Sequence, residues 1–232
     1  MTVLSFAAHL PCFLCSGRHT AFFYGTLLHP SILRRVIGHQ GADLEICPAL
    51  LLHADYPGVI PYEKSRRLLG KELPPEDRTV RGTVVRGLSD NDVRLLDTFE
   101  GDEYVRATVN VHPLGPFSPL ESAAKDSAIV PTTPPPLSPE FIATLPSTHP
   151  PIPANTYLWI QPISELKPDI WDYAEFVRDN AWKWVGSAPA ARENEYYLEV
   201  DRRREMDGHI VRHEIVNVGE EERRVVVEVN DG

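Results

Sequence analysis

Cysteine is scarce in this chain. Three occur in 232 residues, an odd number and too few for a disulfide framework. Cys12 and Cys15 stand in a CxxC spacing and Cys47 is the only further thiol. No HxxxH spacing follows the pair within the roughly 12–15 residues of a compact zinc site, so a zinc centre lacks its ligand set. Free thiols fit a reducing, cytoplasmic setting. Basic charge is short as well: 23 Lys and Arg against 33 Asp and Glu leave a net charge of -10. A nucleic-acid-binding surface needs a basic face, so none is expected. The one dense basic run, Arg202-Arg203-Arg204, is followed at once by Glu205 and reads as a solvated helix face.

Long apolar runs are also missing. Residues 3–15 carry no Asp, Glu, Lys or Arg, but Pro11 interrupts them, and they fall short of the roughly 20 residues that cross a membrane. No membrane association is expected. GxGxxG, Walker, HExxH and GxSxG motifs are absent, which leaves nucleotide cofactors and zinc peptidase chemistry without support. No cofactor or metal is expected. Residues 1–19 read as a disordered leader or as an added edge strand.

What is present is a set of short strands and single helices. Residues 20–24 read as an aromatic, β-branched strand ended by Gly25, and Pro30 suits the first turn of a helix over 31–37. Residues 49–53 and 79–88 read as further strands, joined through the turn-forming Pro57-Gly58. Ser89 can cap a helix, with Asp92 completing a capping box. Val93, Leu96 and Phe99 line one face of it, and Gly101 is placed to end it. From Tyr104 the period changes to two. Val105, Ala107, Val109 and Val111 share one face; Tyr104, Arg106, Thr108 and Asn110 share the other.

Twelve of the 22 prolines fall within 113–153. That stretch reads as a mobile insertion that buries little apolar surface. A strand over 156–161 and a helix over 169–185 follow, the latter stopped by Gly186. Residues 187–232 read as a charged extension with a helix over 193–206 and a hairpin through Gly219. The four tryptophans, Trp159, Trp171, Trp182 and Trp184, are expected in the core. Without regular βαβ alternation, the expected fold is α+β: a small mixed sheet curled toward a barrel, with flanking helices. The domain is expected over 20–186.

Two segments could carry chemistry. In Tyr24-Gly25-Thr26-Leu27, a glycine directly after a strand turns the backbone sharply, and amides near a helix start can hold a carboxylate or an oxyanion. An ordinary strand-to-helix turn accounts for the same residues. Glu100 stands where a helix meets a strand. The negative end of the helix dipole disfavours its ionised form, and Asp97, Asp102 and Glu103 add negative charge that raises its pKa. It is either a solvated acidic turn or a proton-transferring carboxylate. Tyr104 and Arg106, on the opposite face of their strand, could contact a substrate carboxylate or simply cap the strand in solvent.

The chain resembles the gamma-glutamylcyclotransferase-like superfamily, in the branch of the plant avirulence-induced proteins and gamma-glutamylamine cyclotransferase. The likeness rests on Phe22-Phe23-Tyr24-Gly25-Thr26-Leu27, Tyr56-Pro57-Gly58-Val59, Val80-Arg81-Gly82 and, above all, residues 96–106, LDTFEGDEYVR. Residues 171–176, WDYAEF, add to it. The resemblance implies a small mixed β-barrel and a small-molecule gamma-glutamyl substrate that cyclises to 5-oxoproline, releasing an amine. Carried over by motif, Glu100 is the general base and acid. Gly25, Thr26 and Leu27 bind the substrate carboxylate or oxyanion, Tyr24 shapes the pocket and Tyr104 contacts the substrate. An amide-cleaving or acyl-transfer enzyme, or a non-catalytic binding or stress-response module on the same fold, is also compatible with it. No residue pattern specifies the leaving group or the oligomeric state.

Overall fold

The structure is a computed structural model. It describes residues 18–52, 54–55, 60–61, 70, 72, 74, 78–121, 126–131, 137–166, 172–185, 195–205, 211–218 and 221–228. The chain runs through β1 (His19–Phe23), α1 (Pro30–Ile37), β2 (Glu45–Leu52), β3 (Ala54–Asp55), β4 (Ile60–Pro61), β5 (Thr79–Leu88) and α2 (Asp90–Glu100). Next come β6 (Tyr104–Pro113), β7 (Ser118–Pro119), α3 (Asp126–Ile129), α4 (Pro139–Thr148) and β8 (Ile152–Trp159). The last described elements are α5 (Tyr173–Asp179), α6 (Trp182–Val185), α7 (Glu195–Glu205), β9 (Val211–Val218) and β10 (Glu221–Glu228).

Five strands close on themselves in the order β5-β1-β8-β6-β2, with β2 pairing back onto β5. The β1–β8 pairing is parallel, through Ala21 and Asn155, and the others are antiparallel. The result is a closed mixed barrel, with β7 added beside the Glu45 end of β2. Period-two alternation sorts the side chains into two clusters. Phe22, Cys47, Ala49, Leu51, Val80, Val84, Val111 and Ala154 come from all five barrel strands and fill the interior. Phe23, Ile46, Val85 and Tyr157 point the other way. They meet Leu27, Ile32, Leu33, Val36 and Ile37 from α1 and the turn before it, and Val93 and Leu96 from α2.

A barrel this narrow has no room for a side chain at every inward position. A Cβ added to Gly82 would lie 2.3 Å from the Phe22 ring and 2.4 Å from the Phe23 carbonyl oxygen. The carbonyl is backbone and cannot swing aside. Gly82→Ala is therefore expected to destabilise the fold by about 1–3 kcal/mol through overpacking. A shift of the urea midpoint at unchanged slope measures it, and a wild-type midpoint would contradict this account.

Local signals act as the sequence predicts. Pro30 opens α1, and Gly38 ends it at φ 78°. Ser89 and Asp92 form the capping box: the Asp92 amide donates to Ser89 Oγ at 3.2 Å and the Ser89 amide to Asp92 Oδ2 at 2.8 Å. Gly101 caps α2 at φ 68°. Strand β5 spans the predicted residues, and the C-terminal hairpin forms with eight paired positions.

Other expectations are corrected. β2 begins at Glu45, four residues before the predicted start, because Cys47-Pro48 pairs with β5 despite the proline. The 113–153 insertion buries Leu120, Ile129, Val130 and Leu145. It also forms α4, capped by Ser138, whose Oγ accepts from the Phe141 amide at 3.1 Å. Its Asp126 pairs with Arg34 at 2.7 Å, tying it to α1. The single helix predicted over 169–185 is two short helices in the described residues. Asn180 leaves helical geometry, and the Asn180 and Ala181 amides both donate to the Phe176 carbonyl. Trp182 is 41% exposed rather than core, and Val105 at the barrel end is 46% exposed. Residues 1–17, 56–59 and 167–171, with Cys12, Cys15 and Trp171, lie outside the described residues.

Candidate active site

The site is built on one face of the β6–β8 pair. Tyr104 lies opposite Trp159, and Arg106 opposite Tyr157. Directly opposed side chains share a face, and the Tyr104 and Trp159 rings meet edge-on with centroids 5.3 Å apart. Helix α2 lies over this face. One helical turn apart, Asp97 and Glu100 point the same way. Asp97 takes two hydrogen bonds from Arg106 Nη1, at 2.8 and 3.1 Å, and one from the Tyr157 hydroxyl at 2.8 Å. Arg106, expected as a substrate contact, is thus committed to Asp97. The Asp97 links fix the last turn of α2 against the barrel.

Glu100 has a different environment. Among the described residues its carboxyl has no hydrogen-bond or ion-pair partner. The residue is half-buried. Burial pushes its pKa up to about 8; Glu103 adds to the rise and Arg203 opposes it. Of the three acidic neighbours named from the sequence, Asp97, Asp102 and Glu103, Glu103 alone contributes, and loss of solvent is the larger cause. Tyr104 is also held above its ordinary pKa, first by burial and then by the Glu100 and Glu103 charges. The Tyr157 hydroxyl is raised by burial and by Asp97, with Glu100 contributing. Tyr104 and Tyr157 therefore stay protonated, and the Tyr157 hydroxyl donates to Asp97.

The glycine turn reaches the same neighbourhood through Tyr24. Its hydroxyl donates to the Tyr157 carbonyl at 2.5 Å, tying the end of β1 to β8. Gly25–Leu28 form a short 3₁₀ turn, and Gly25 takes φ 59°, a conformation that favours glycine. A Cβ there would meet no atom of the described residues within 4 Å. Thr26 is half-buried, and its carbonyl accepts from the His29 amide at 3.2 Å. The Leu27 side chain is buried in the outer core, which leaves only its backbone to face a ligand.

Four residues of the site have roles that were not assigned from the sequence. Asp97 and Tyr157 anchor its helix; an i, i+3 carboxylate pair before a glycine was the available signal for Asp97. Trp159, expected as core, is half-buried, and its Nε1–H is buried with no acceptor among the described residues. Arg203, read as part of a solvated basic run, lies at the Glu100 turn. No local pattern marks it. Among the described residues, no group of three or more His, Cys, Asp and Glu is arranged to hold a metal ion.

Residues 21–125 match a family model described as gamma-glutamyl cyclotransferase, AIG2-like. Protein AIG2 B of Arabidopsis thaliana is 31% identical over 93 residues, covering 40% of this chain and 50% of that protein. Protein AIG2 A of the same plant is 29% identical over 96 residues, covering 41% and 52%. The chain spans about half the length of the curated relatives it matches. A solution structure of an Arabidopsis thaliana protein aligns over 88% of this chain and 96% of its own, at 18% identity and a TM-score of 0.39. A crystal structure of a yeast gamma-glutamyl cyclotransferase specific to glutathione aligns over 83% and 97%, at 13% identity and a TM-score of 0.37. The matched segment contains both the glycine turn and Glu100, so the part of the chain that is similar to the gamma-glutamyl cyclotransferase, AIG2-like family is the part that carries the candidate site.

Proposed function

We propose that this protein releases 5-oxoproline from a gamma-glutamyl amine or amide, with Glu100 as general base and acid. The observation that carries the reading is the Glu100 carboxyl: half-buried, without a hydrogen-bond or ion-pair partner among the described residues, and pushed up to about 8 by burial. A structural glutamate would be paired or solvated. An unpaired one poised near neutral pH can both take and return a proton.

The Glu100 carboxylate removes a proton from the substrate α-ammonium. The free amine then attacks the substrate's own γ-carbonyl carbon, closing a five-membered ring and moving the π electrons onto oxygen. Amides of Gly25, Thr26 and Leu27 receive that oxyanion or hold the substrate carboxylate. Glu100 returns that proton to the leaving nitrogen as the C–N bond breaks, and the second proton lost by the ring nitrogen passes to the released amine, giving 5-oxoproline and an ammonium product. Tyr24 closes one side of the pocket, and Tyr104 donates to the substrate from β6. Because the reaction is intramolecular, the protein's task is to fold the substrate and move protons.

The test is incubation of the full chain with a panel of gamma-glutamyl amines and gamma-glutamyl amino acids, measuring 5-oxoproline and free glutamate. Release of 5-oxoproline is expected. Free glutamate in its place would indicate amide cleavage. Ligand-induced thermal stabilisation without either product would indicate a binding module.

A further inference from the structure

Helix α7 lies outside the matched segment, yet it reaches the Glu100 turn. It is docked as part of the fold: Val200 is buried in the outer core, and Asp201 pairs with Arg35 of α1 at 2.7 Å. One turn of α7 presents a fixed guanidinium. Arg203 Nε donates to Glu199 Oε1 at 2.7 Å, an i, i+4 pair that sets its direction. Arg203 Nη1 donates to the carbonyl oxygen of Phe99.

That carbonyl belongs to the last turn of α2, where carbonyls lack intrahelical partners. A cation is favoured there by the helix dipole. The same Nη1 lies 3.5 Å from where a Cβ on Gly101 would be. The guanidinium therefore packs against the backbone on both sides of Glu100.

We propose that Arg203 is a positioning residue for Glu100, locking the turn that carries the carboxylate and setting its positive charge against Glu103. The proposal rests on the acid–base reading of Glu100 above. It places a determinant of the site in the C-terminal extension.

Among the described residues, the titratable groups facing Glu100 are Glu103 on the turn, Tyr104 on β6, Tyr157 on β8 and Arg203 on α7. Asp97, on the same helix, is paired with Arg106. Arg203 is the one cation in this set that acts on Glu100. Without it, the carboxylate would face Glu103 uncompensated and stay protonated to higher pH.

The experiment compares the full chain with Arg203→Gln, Arg203→Lys and Glu100→Gln. Carboxyl carbon-13 NMR follows the titration, and the resonance missing from Glu100→Gln identifies Glu100. In Arg203→Gln the Glu100 midpoint is expected to move up by about one pH unit, and the acidic limb of kcat/KM to move with it. Arg203→Lys keeps the charge but not the planar fork. It is expected to hold the wild-type midpoint while kcat/KM falls about tenfold from misplacement of the turn. An unmoved midpoint in Arg203→Gln overturns the proposal. Should Arg203→Gln not fold, wild-type kcat/KM in Arg203→Lys overturns it. If the wild-type chain forms no 5-oxoproline, the functional reading fails, and the NMR midpoints still decide the link between Arg203 and Glu100.

Discussion

Glu100→Gln is expected to lower the rate of 5-oxoproline release by about two to four orders of magnitude, the usual contribution of a general acid–base group. The substitution is nearly isosteric. The carboxyl it removes has no hydrogen-bond or ion-pair partner among the described residues, so no such contact of the folded chain is broken there. What is lost is the capacity to take the ammonium proton and return one to the leaving nitrogen. The glycine turn and the clamp of Asp97 by Arg106 and Tyr157 stay in place. Residual turnover through substrate folding and oxyanion binding is therefore expected. With Glu100 near 8, wild-type kcat/KM should climb between pH 7 and 8 as the carboxylate forms, and that climb should be absent from the variant. Turnover within threefold of wild type, with the same pH profile, would remove Glu100 from the mechanism.

The same substitution should stabilise the protein, and only in one range of pH. An ordinary glutamate titrates near 4.5, and Glu100 in the fold near 8. Between these values the folded chain keeps a proton that the unfolded chain has released. Stability therefore falls as pH rises through this window. Above it the folded chain holds a poorly solvated negative charge with no partner among the described residues, which a glutamine does not carry. Full conversion of the shift would exceed 4 kcal/mol. Since Glu100 keeps some solvent contact, Glu100→Gln is expected to be more stable than wild type by about 3 kcal/mol at pH 9, and equal to it at pH 4. Urea unfolding at pH 4, 6, 7.5 and 9 measures the difference. A gap that does not grow with pH would mean that the carboxyl is not desolvated. The two predictions together describe a site whose reactive group is held at the expense of stability.

Much of the fold could be read along the chain, for local reasons. Ser89 and Asp92 cap α2 because their side chains reach amides only three residues away. Gly101 ends it because its φ is positive. Strand β5 was legible from β-branched alternation between flanking turn residues. The insertion was misread for the complementary reason. Its prolines exclude long ladders, but they do not prevent Leu120, Ile129 and Leu145 from reaching a core built by distant residues. The helix over 169–185 was misread where Asn180 leaves helical geometry, a break that apolar spacing does not record.

The sequence by itself determined a glycine where the backbone needs positive φ and a carboxylate at the end of a capped helix. Both follow from conformational preferences acting over a few residues. Only the tertiary structure decided what that carboxylate does. The barrel closes through Ala21 and Asn155, which are far apart in the chain. Arg106 and Tyr157 claim Asp97 and leave Glu100 unpaired, and Arg203 arrives at the turn from α7 more than a hundred residues later. Desolvation and charge pairing act through space, so the titration of Glu100 depends on neighbours that no local pattern around it contains.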